Sequence, residues 1–172
     1  MRRLAPLPVL VLALSAGTPA CGGPARPPIA AAQDARAAEK AIDQVLDDWH
    51  QAAARAEEAR YFAHFAEGAV FLGTDRTERW SLEEFRRWAH PYFAKGKAWT
   101  LKSTRRTIAV GQSGDVAWFD EDLASDSMGP ARGSGVMVRA GTDRRWRIVQ
   151  YNLALTIPND ALPAVKKVIE GG

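Results

Sequence analysis

Between Asp34 and about Arg60 the chain carries few breakers. Ala38, Ile42, Val45, Leu46, Trp49 and Ala53 recur there at three- and four-residue steps, which predicts a long amphipathic helix. The next stretch, EEARYFAHFAEGAVFLGTD, predicts a short second helix with Tyr61, Phe62 and Phe65 on one side, a stop at Gly68 and a first strand over residues 69–72. In SLEEFRRWAHPYF, Ser81 and Glu84 have the spacing of a capping box, and Leu82, Phe85, Trp88 and Ala89 form one helical face. Trp80 precedes the cap as a staple, and Pro91 is expected to disrupt the helix or end its regular part. Beyond it the runs AWTLKSTRRTIAV, DVAWFDEDLAS, ARGSGVMVRA and RRWRIVQYNLALTI read as strands, separated by KGK, GQSG, SMGP and AGTD turns. Helices followed by a meander of strands predict an α+β domain, a long N-terminal helix and two shorter ones packed on one face of a curved, mainly antiparallel sheet.

The N-terminus has a different pattern. Arg2 and Arg3 precede LAPLPVLVLALSA, too short to span a bilayer comfortably and right for the apolar region of a signal peptide, so residues 1–20 are expected to direct export. The single cysteine, Cys21, follows at once and resembles the lipidated cysteine of a bacterial lipoprotein. Thr18 and Pro19 depart from that pattern, which leaves cleavage after Ala20 as the rival reading. Residues 21–33, rich in Gly, Pro and Ala, read as a tether, and residues 34–172 as the folded domain. The expected location is the cell envelope of a bacterium, lipid-anchored through Cys21 or periplasmic.

Charge adds little. Of 23 basic residues against 20 acidic ones, the signal segment holds Arg2 and Arg3 and no acid, so the mature charge falls from +3 to +1. The groups at 105–106 and 144–147 read as solvated faces and ends of strands, and no nucleic-acid partner is expected. His50, His64 and His90 show no metal-ligating spacing, and neither metal nor cofactor is expected.

The candidate chemistry lies in GDVAWFDEDL, residues 114–123, where four carboxylates share a strand with Val116, Trp118 and Phe119. Side chains alternate across a strand, so parity decides which of them line a pocket. Taking Arg139 as exposed puts Gly133, Gly135 and Met137 outside and Arg132, Ser134, Val136 and Val138 inside. The same reasoning places Val116, Trp118, Asp120 and Asp122 inside, and Trp146, Ile148, Gln150, Asn152, Ala154 and Thr156 inside on the last strand. The result is a gradient from apolar to polar along one face, as a one-ended pocket needs. Asp120 and Arg132 read either as site or as a structural ion pair, and both readings stand. In the loop GTDRTERW, Asp75 and Glu78 are candidate pocket carboxylates, with Asp75 as turn cap and Glu78 as partner of Arg76 or Arg79 the alternatives.

The order of elements, with VFLGTDRTERWS, GDVAWFDEDL, GPARGSGVMV and WRIVQYNLALTIPN, resembles the SnoaL-like branch of the nuclear transport factor 2-like superfamily over roughly residues 38–159. The resemblance implies a cone-shaped fold, a pocket at the wide end and commonly a homodimer through the sheet. It does not name a reaction. The favoured expectation is a protein that binds a small amphipathic ligand, with Trp118 against its body and Arg132, Gln150, Asn152 and Asp75 as polar contacts. The enzyme alternative is an isomerase or cyclase with Asp120 as general base, against which stands Arg132, which would lower the carboxylate pKa. A purely structural dimerisation domain is the third reading.

Overall fold

The computed structural model describes residues 28–171, with helices α1 (Pro28–Ala54), α2 (Glu58–Ala63), α3 (Leu82–Ala94) and α4 (Leu162–Glu170). The strands are β1 (Phe65–Leu72), β2 (Arg79–Ser81), β3 (Lys102–Val110), β4 (Val116–Ala124), β5 (Ala131–Ala140) and β6 (Arg145–Leu155). The signal segment and Cys21 lie outside the described residues, as does most of the expected tether. No described helix is long and apolar enough to cross a membrane.

The strands form one sheet in the order β2-β1-β6-β5-β4-β3, antiparallel except where β1 runs parallel to β6. The helical stripe of α1 packs onto the concave face, burying Ala38, Ile42, Leu46, Trp49 and Ala53. Transfer of those side chains from water is the main force holding α1 there. The α3 cap forms as its spacing predicts: Ser81 Oγ accepts from the Glu84 amide, and Glu84 in turn accepts from the Ser81 amide at 2.8 Å. Trp80 stacks on Phe85, the fourth residue of the helix, with ring centroids 5.7 Å apart, and so fixes the angle at which the chain enters.

Several boundaries differ from expectation for identifiable reasons. The first helix ends at Ala54, and Phe65 belongs to β1. Gly68 does not stop a helix; it sits within β1 at φ 71°, where the pairing with β6 shifts register, a conformation glycine adopts without steric cost. The helix α3 continues through Pro91 for another turn, whose Phe93 is buried against Tyr61 and Trp99. A fourth helix, α4, follows the sheet and buries none of its residues.

Strand parity is inverted. On β4 the buried residues are Ala117, Phe119, Glu121 and Leu123, and on β5 Ala131, Gly133, Gly135 and Met137. Val116, Trp118, Asp120 and Asp122 therefore point to the convex side, as does Arg132. Arg139 misled the parity assignment because it lies on the concave side beyond the core, its guanidinium 5.0 Å over the Trp146 ring. On β6, Trp146 and Ile148 face inward as expected. A bulge then pairs Met137 with Ile148 but Val136 with Gln150, so Val149 is the extra residue and the parity of β6 reverses. Tyr151 turns inward in consequence, while Gln150 and Asn152 turn outward.

Candidate functional site

The concave side of the sheet, α1 and α3 enclose a cavity of about 270 Å³. Its walls are aromatic: Trp49 from α1, Tyr61 from α2, Phe71 from β1, Phe85 from α3, Trp99 ahead of β3 and Tyr151 from β6. The exposed Thr74 and Trp88 mark the mouth, where Glu78 also lines the wall. Stacking and edge contacts fix these rings; Phe71 and Phe85 lie parallel at 3.9 Å, and Trp49 meets Tyr151 edge-on at 4.6 Å.

Two residues of this wall carry buried polar atoms without a partner. Tyr61 Oη and Trp49 Nε1 are buried and neither has a hydrogen-bond partner. Burial pushes the Tyr61 phenol well above its usual range, opposed by the indoles of Trp99 and Trp49 close to its oxygen. Those indoles are near enough to favour a negative oxygen, yet neither meets hydrogen-bond geometry with Tyr61. Buried donors ordinarily find acceptors, and these two have none.

Behind Tyr151 lies a buried charged network. Glu121 on β4 is 0% exposed, and its Oε1 accepts from His50 Nε2 at 2.8 Å and from the Tyr151 hydroxyl at 3.2 Å. Its Oε2 accepts from Arg106 Nε on β3 at 3.0 Å, and Arg106 Nη2 stands 2.9 Å away as an ion-pair contact off the hydrogen-bond axis. Arg106 continues to Asp47 at 2.9 Å and to Asp43 on α1, although its side chain is only 5% exposed. Burial opposes the ionisation of Glu121, but His50 and Arg106 outweigh it and hold the carboxyl below its usual range. Burial, reinforced by the Glu121 charge, pushes the Tyr151 phenol well up, so Tyr151 is a neutral donor. Gly133 is required here: a Cβ would lie 2.9 Å from Glu121 Oε1 and closer still to the Tyr151 hydroxyl.

The residues singled out from sequence do not meet in the cavity. Trp118 is 54% exposed on the convex face, and Asp120 pairs across its strand with Ser134 and Thr107. Arg132 faces Asp122, not Asp120, and reaches it at 3.7 Å, while Arg105 holds the same carboxylate at 2.8 Å. Gln150 and Asn152 lie on the outer side of the β6 bulge. Asp75 is an exposed turn cap accepting from the Thr77 amide at 2.8 Å, whereas Glu78 lines the cavity. Glu121, which the parity that took Asp120 and Asp122 inward leaves on the outer face, is the buried acid. The signal that could have found it is the pair Gly133 and Gly135 in a strand interior, which marks large side chains crossing in front of the middle of the sheet. Among the described residues no group of His, Cys, Asp and Glu is placed to hold a metal ion.

A SnoaL-like domain profile matches residues 42–158, most of the folded chain. The chain belongs to the SnoaL-like family. Solved structures agree on the fold. A nuclear transport factor 2-like protein of unknown function from Pseudomonas putida KT2440 superposes with a TM-score of 0.60 at 15% identity, covering 73% of this chain and 92% of that one. A candidate scytalone dehydratase from Novosphingobium aromaticivorans DSM 12444 gives 0.60 at 10% identity, with 73% and 89% covered. A candidate ketosteroid isomerase from Shewanella frigidimarina NCIMB 400 gives 0.54 at 18% identity, with 68% and 97% covered. No curated protein matches the chain. In this SnoaL-like domain the cone is thus closed by α1 and α3, and its aromatic cavity is the candidate site.

Proposed function

We propose that this SnoaL-like protein binds a small ring-bearing ligand that carries a hydrogen-bond acceptor such as a carbonyl oxygen. The observation that carries the reading is the pair of buried, unpartnered donors, Tyr61 Oη and Trp49 Nε1, in an otherwise aromatic wall. A ligand oxygen placed between them would satisfy both donors, and its rings would stack on Phe85 and Trp88. The volume falls just below the range of about 300–1,000 Å³ usual for ligand pockets, which favours a one- or two-ring molecule. An open cavity also speaks against a purely structural dimerisation domain, whose pocket its own side chains would fill.

The reading includes export, attachment or release at Cys21, and a homodimer through the convex sheet face, where Val116, Trp118 and Leu155 are exposed. Native mass spectrometry of the purified chain reads protomer number and any co-purifying ligand together. For the cavity itself, 1-indanone is expected to bind more tightly than indane, and Tyr61→Phe to weaken the ketone roughly three- to tenfold while leaving the hydrocarbon unchanged. Equal binding of ketone and hydrocarbon to the wild-type chain would sink the acceptor reading.

A second reading, proton transfer, rests on Glu78. It is the carboxylate in the same lining as the two donors, so a base and a place for a developing oxyanion would share one cavity. Asp120, on the convex face, does not reach this cavity. Once a ketone with an acidic α-carbon is shown to bind, deuterium exchange at that carbon is expected to accelerate with wild-type protein and to fall by about 10² or more with Glu78→Gln. Exchange that survives the substitution would leave the protein as a binder.

A further inference from the structure

The aromatic cavity has a charge as well as a shape. Among the described residues that line it, Glu78 is the one with a formally charged side chain, and the lining holds no Lys, Arg or His. Carboxylates taken out of water are ordinarily matched by a cation. Glu78 is partly buried and forms no ion pair among the described residues; the partnership with Arg76 or Arg79 that its sequence neighbours offered is not made. Both arginines are exposed, and Arg79 sits between Glu78 and Trp80, the two residues of that segment that line the cavity.

The turn itself holds the carboxylate. The Gly73 amide donates to the Glu78 carbonyl at 2.8 Å and the Glu78 amide to the Asp75 carbonyl at 3.0 Å, so backbone bonds close residues 73–78. Within the turn the Asp75 amide donates to Glu78 Oε2 at 3.1 Å, while Oε1 has no hydrogen-bond partner among the described residues. The side chain lies across Gly73, where a Cβ would stand 2.1 Å from Oε2 and 2.9 Å from the Glu78 Cβ. Backbone, not a counter-ion, therefore places this acid in the wall.

The rings beside it act in the same sense. Trp80, Trp88 and Trp99, from β2, α3 and the segment ahead of β3, form one cluster, Trp88 lying 4.8 Å from Trp80 and 6.0 Å from Trp99. Aromatic faces carry negative partial charge and attract cations, indole most strongly. Acid and rings together favour a cation in this space and disfavour an anion. A metal ion would find one carboxylate and no further charged ligand among the described residues, whereas an ammonium group gains from carboxylate and rings alike.

Resting on the ligand-site reading above, we infer that the ligand is an organic cation, a ring-bearing molecule whose ammonium group lies at the mouth with Glu78 and the tryptophans. An ammonium group and a carbonyl oxygen are compatible in one molecule, so the mouth and the donors at Tyr61 and Trp49 set separate requirements.

The test is calorimetric titration of the full chain with benzyltrimethylammonium, phenylacetate and toluene. The ammonium probe is expected to bind at least tenfold more tightly than phenylacetate and to weaken as salt is added. Glu78→Gln should weaken it about tenfold and leave toluene unchanged, and Glu78→Lys should reverse the preference in favour of phenylacetate. Glu83→Gln, at an exposed acid on α3 paired with Arg87, should change nothing. The comparison of cation with anion on the wild-type chain needs no variant to fold. Equal binding of the two, or ammonium binding that Glu78→Gln leaves intact, overturns the proposal. If 1-indanone outbinds indane while the ammonium probe fails, the cation is refuted and the acceptor site stands; if all of these probes fail, the ligand site falls with it.

Discussion

Replacing Arg106 with Met is expected to lower stability by roughly 3–5 kcal/mol, read as a fall in the urea midpoint at neutral pH with an unchanged slope. That is a large share of the about 5–15 kcal/mol that holds a domain folded. The substitution removes the cation beside a carboxylate with no access to water, and the exposed Asp43 and Asp47 lose little by comparison. His50 and Tyr151 remain to solvate Glu121, but they cannot replace a guanidinium engaged through two of its nitrogens. The double variant Arg106→Met, Glu121→Met should recover much of the loss, since a buried pair replaced whole by apolar groups is often neutral. A double variant as unstable as the single would show that the cost lies in packing and not in the orphaned charge.

The same network sets an acid response. The folded-state pKa of Glu121 lies below its ordinary value of 4.5. As pH falls, the unfolded chain therefore takes up this proton first, and the stabilisation present above about pH 4.5 is lost through the folded value. In Glu121→Gln that contribution is absent, so its midpoint should fall less steeply below pH 4.5 than that of the wild-type chain. Asp48 and Asp122, whose carboxyls the guanidinium of Arg60 and of Arg105 respectively holds low, titrate in both proteins and provide the common background.

Periodicity reported the fold well and the site poorly, for one physical reason. Apolar spacing registers burial by hydrophobic transfer, which is what seats the α1 stripe, the Ser81 cap and the meander from β3 to β6. It is blind to burial by charge complementarity. Glu121 is interior because Arg106 and His50, 15 and 71 residues away in sequence, converge on it. Its neighbours Asp120 and Asp122 have the same composition and face outward, so parity was the deciding quantity, and a charged residue was the wrong marker for it. Arg139 shares the core's parity but lies past the core's edge. The bulge at Val149 has no sequence signal beyond the shift of apolar residues from Ile148 to Tyr151 and Leu153, and it alone moves Gln150 and Asn152 from one face to the other. Gly133 and Gly135 were the available clue to the buried face.

Phe85→Ala should cost about 3–5 kcal/mol, the second large effect, and the variant should recover part of that on adding toluene. Phe85 is fully buried and central to the aromatic wall: it lies flat against Phe71, is covered by the Trp80 staple, and meets Phe62 edge-on at 5.5 Å. Truncation removes dispersion contacts on every side and opens the existing cavity toward the core. Whether the lost volume persists depends on how far the surrounding rings can close in. Trp49, Tyr61 and Tyr151 are each fixed by a separate element, and Tyr151 is tied to Glu121 as well, so the wall should stay open. Toluene would then fill the space vacated by the ring and raise the unfolding midpoint of the variant more than that of the wild-type chain. Phe85→Leu, which keeps most of the volume, should cost less than either truncation or collapse, about 1–2 kcal/mol, and gain little from toluene. If Phe85→Ala loses stability but ignores toluene, the wall collapses on truncation, and the cavity owes its shape to this one ring. Recovery would show instead that these three elements hold the cavity in advance of any ligand, which is the property the acceptor site at Tyr61 and Trp49 requires.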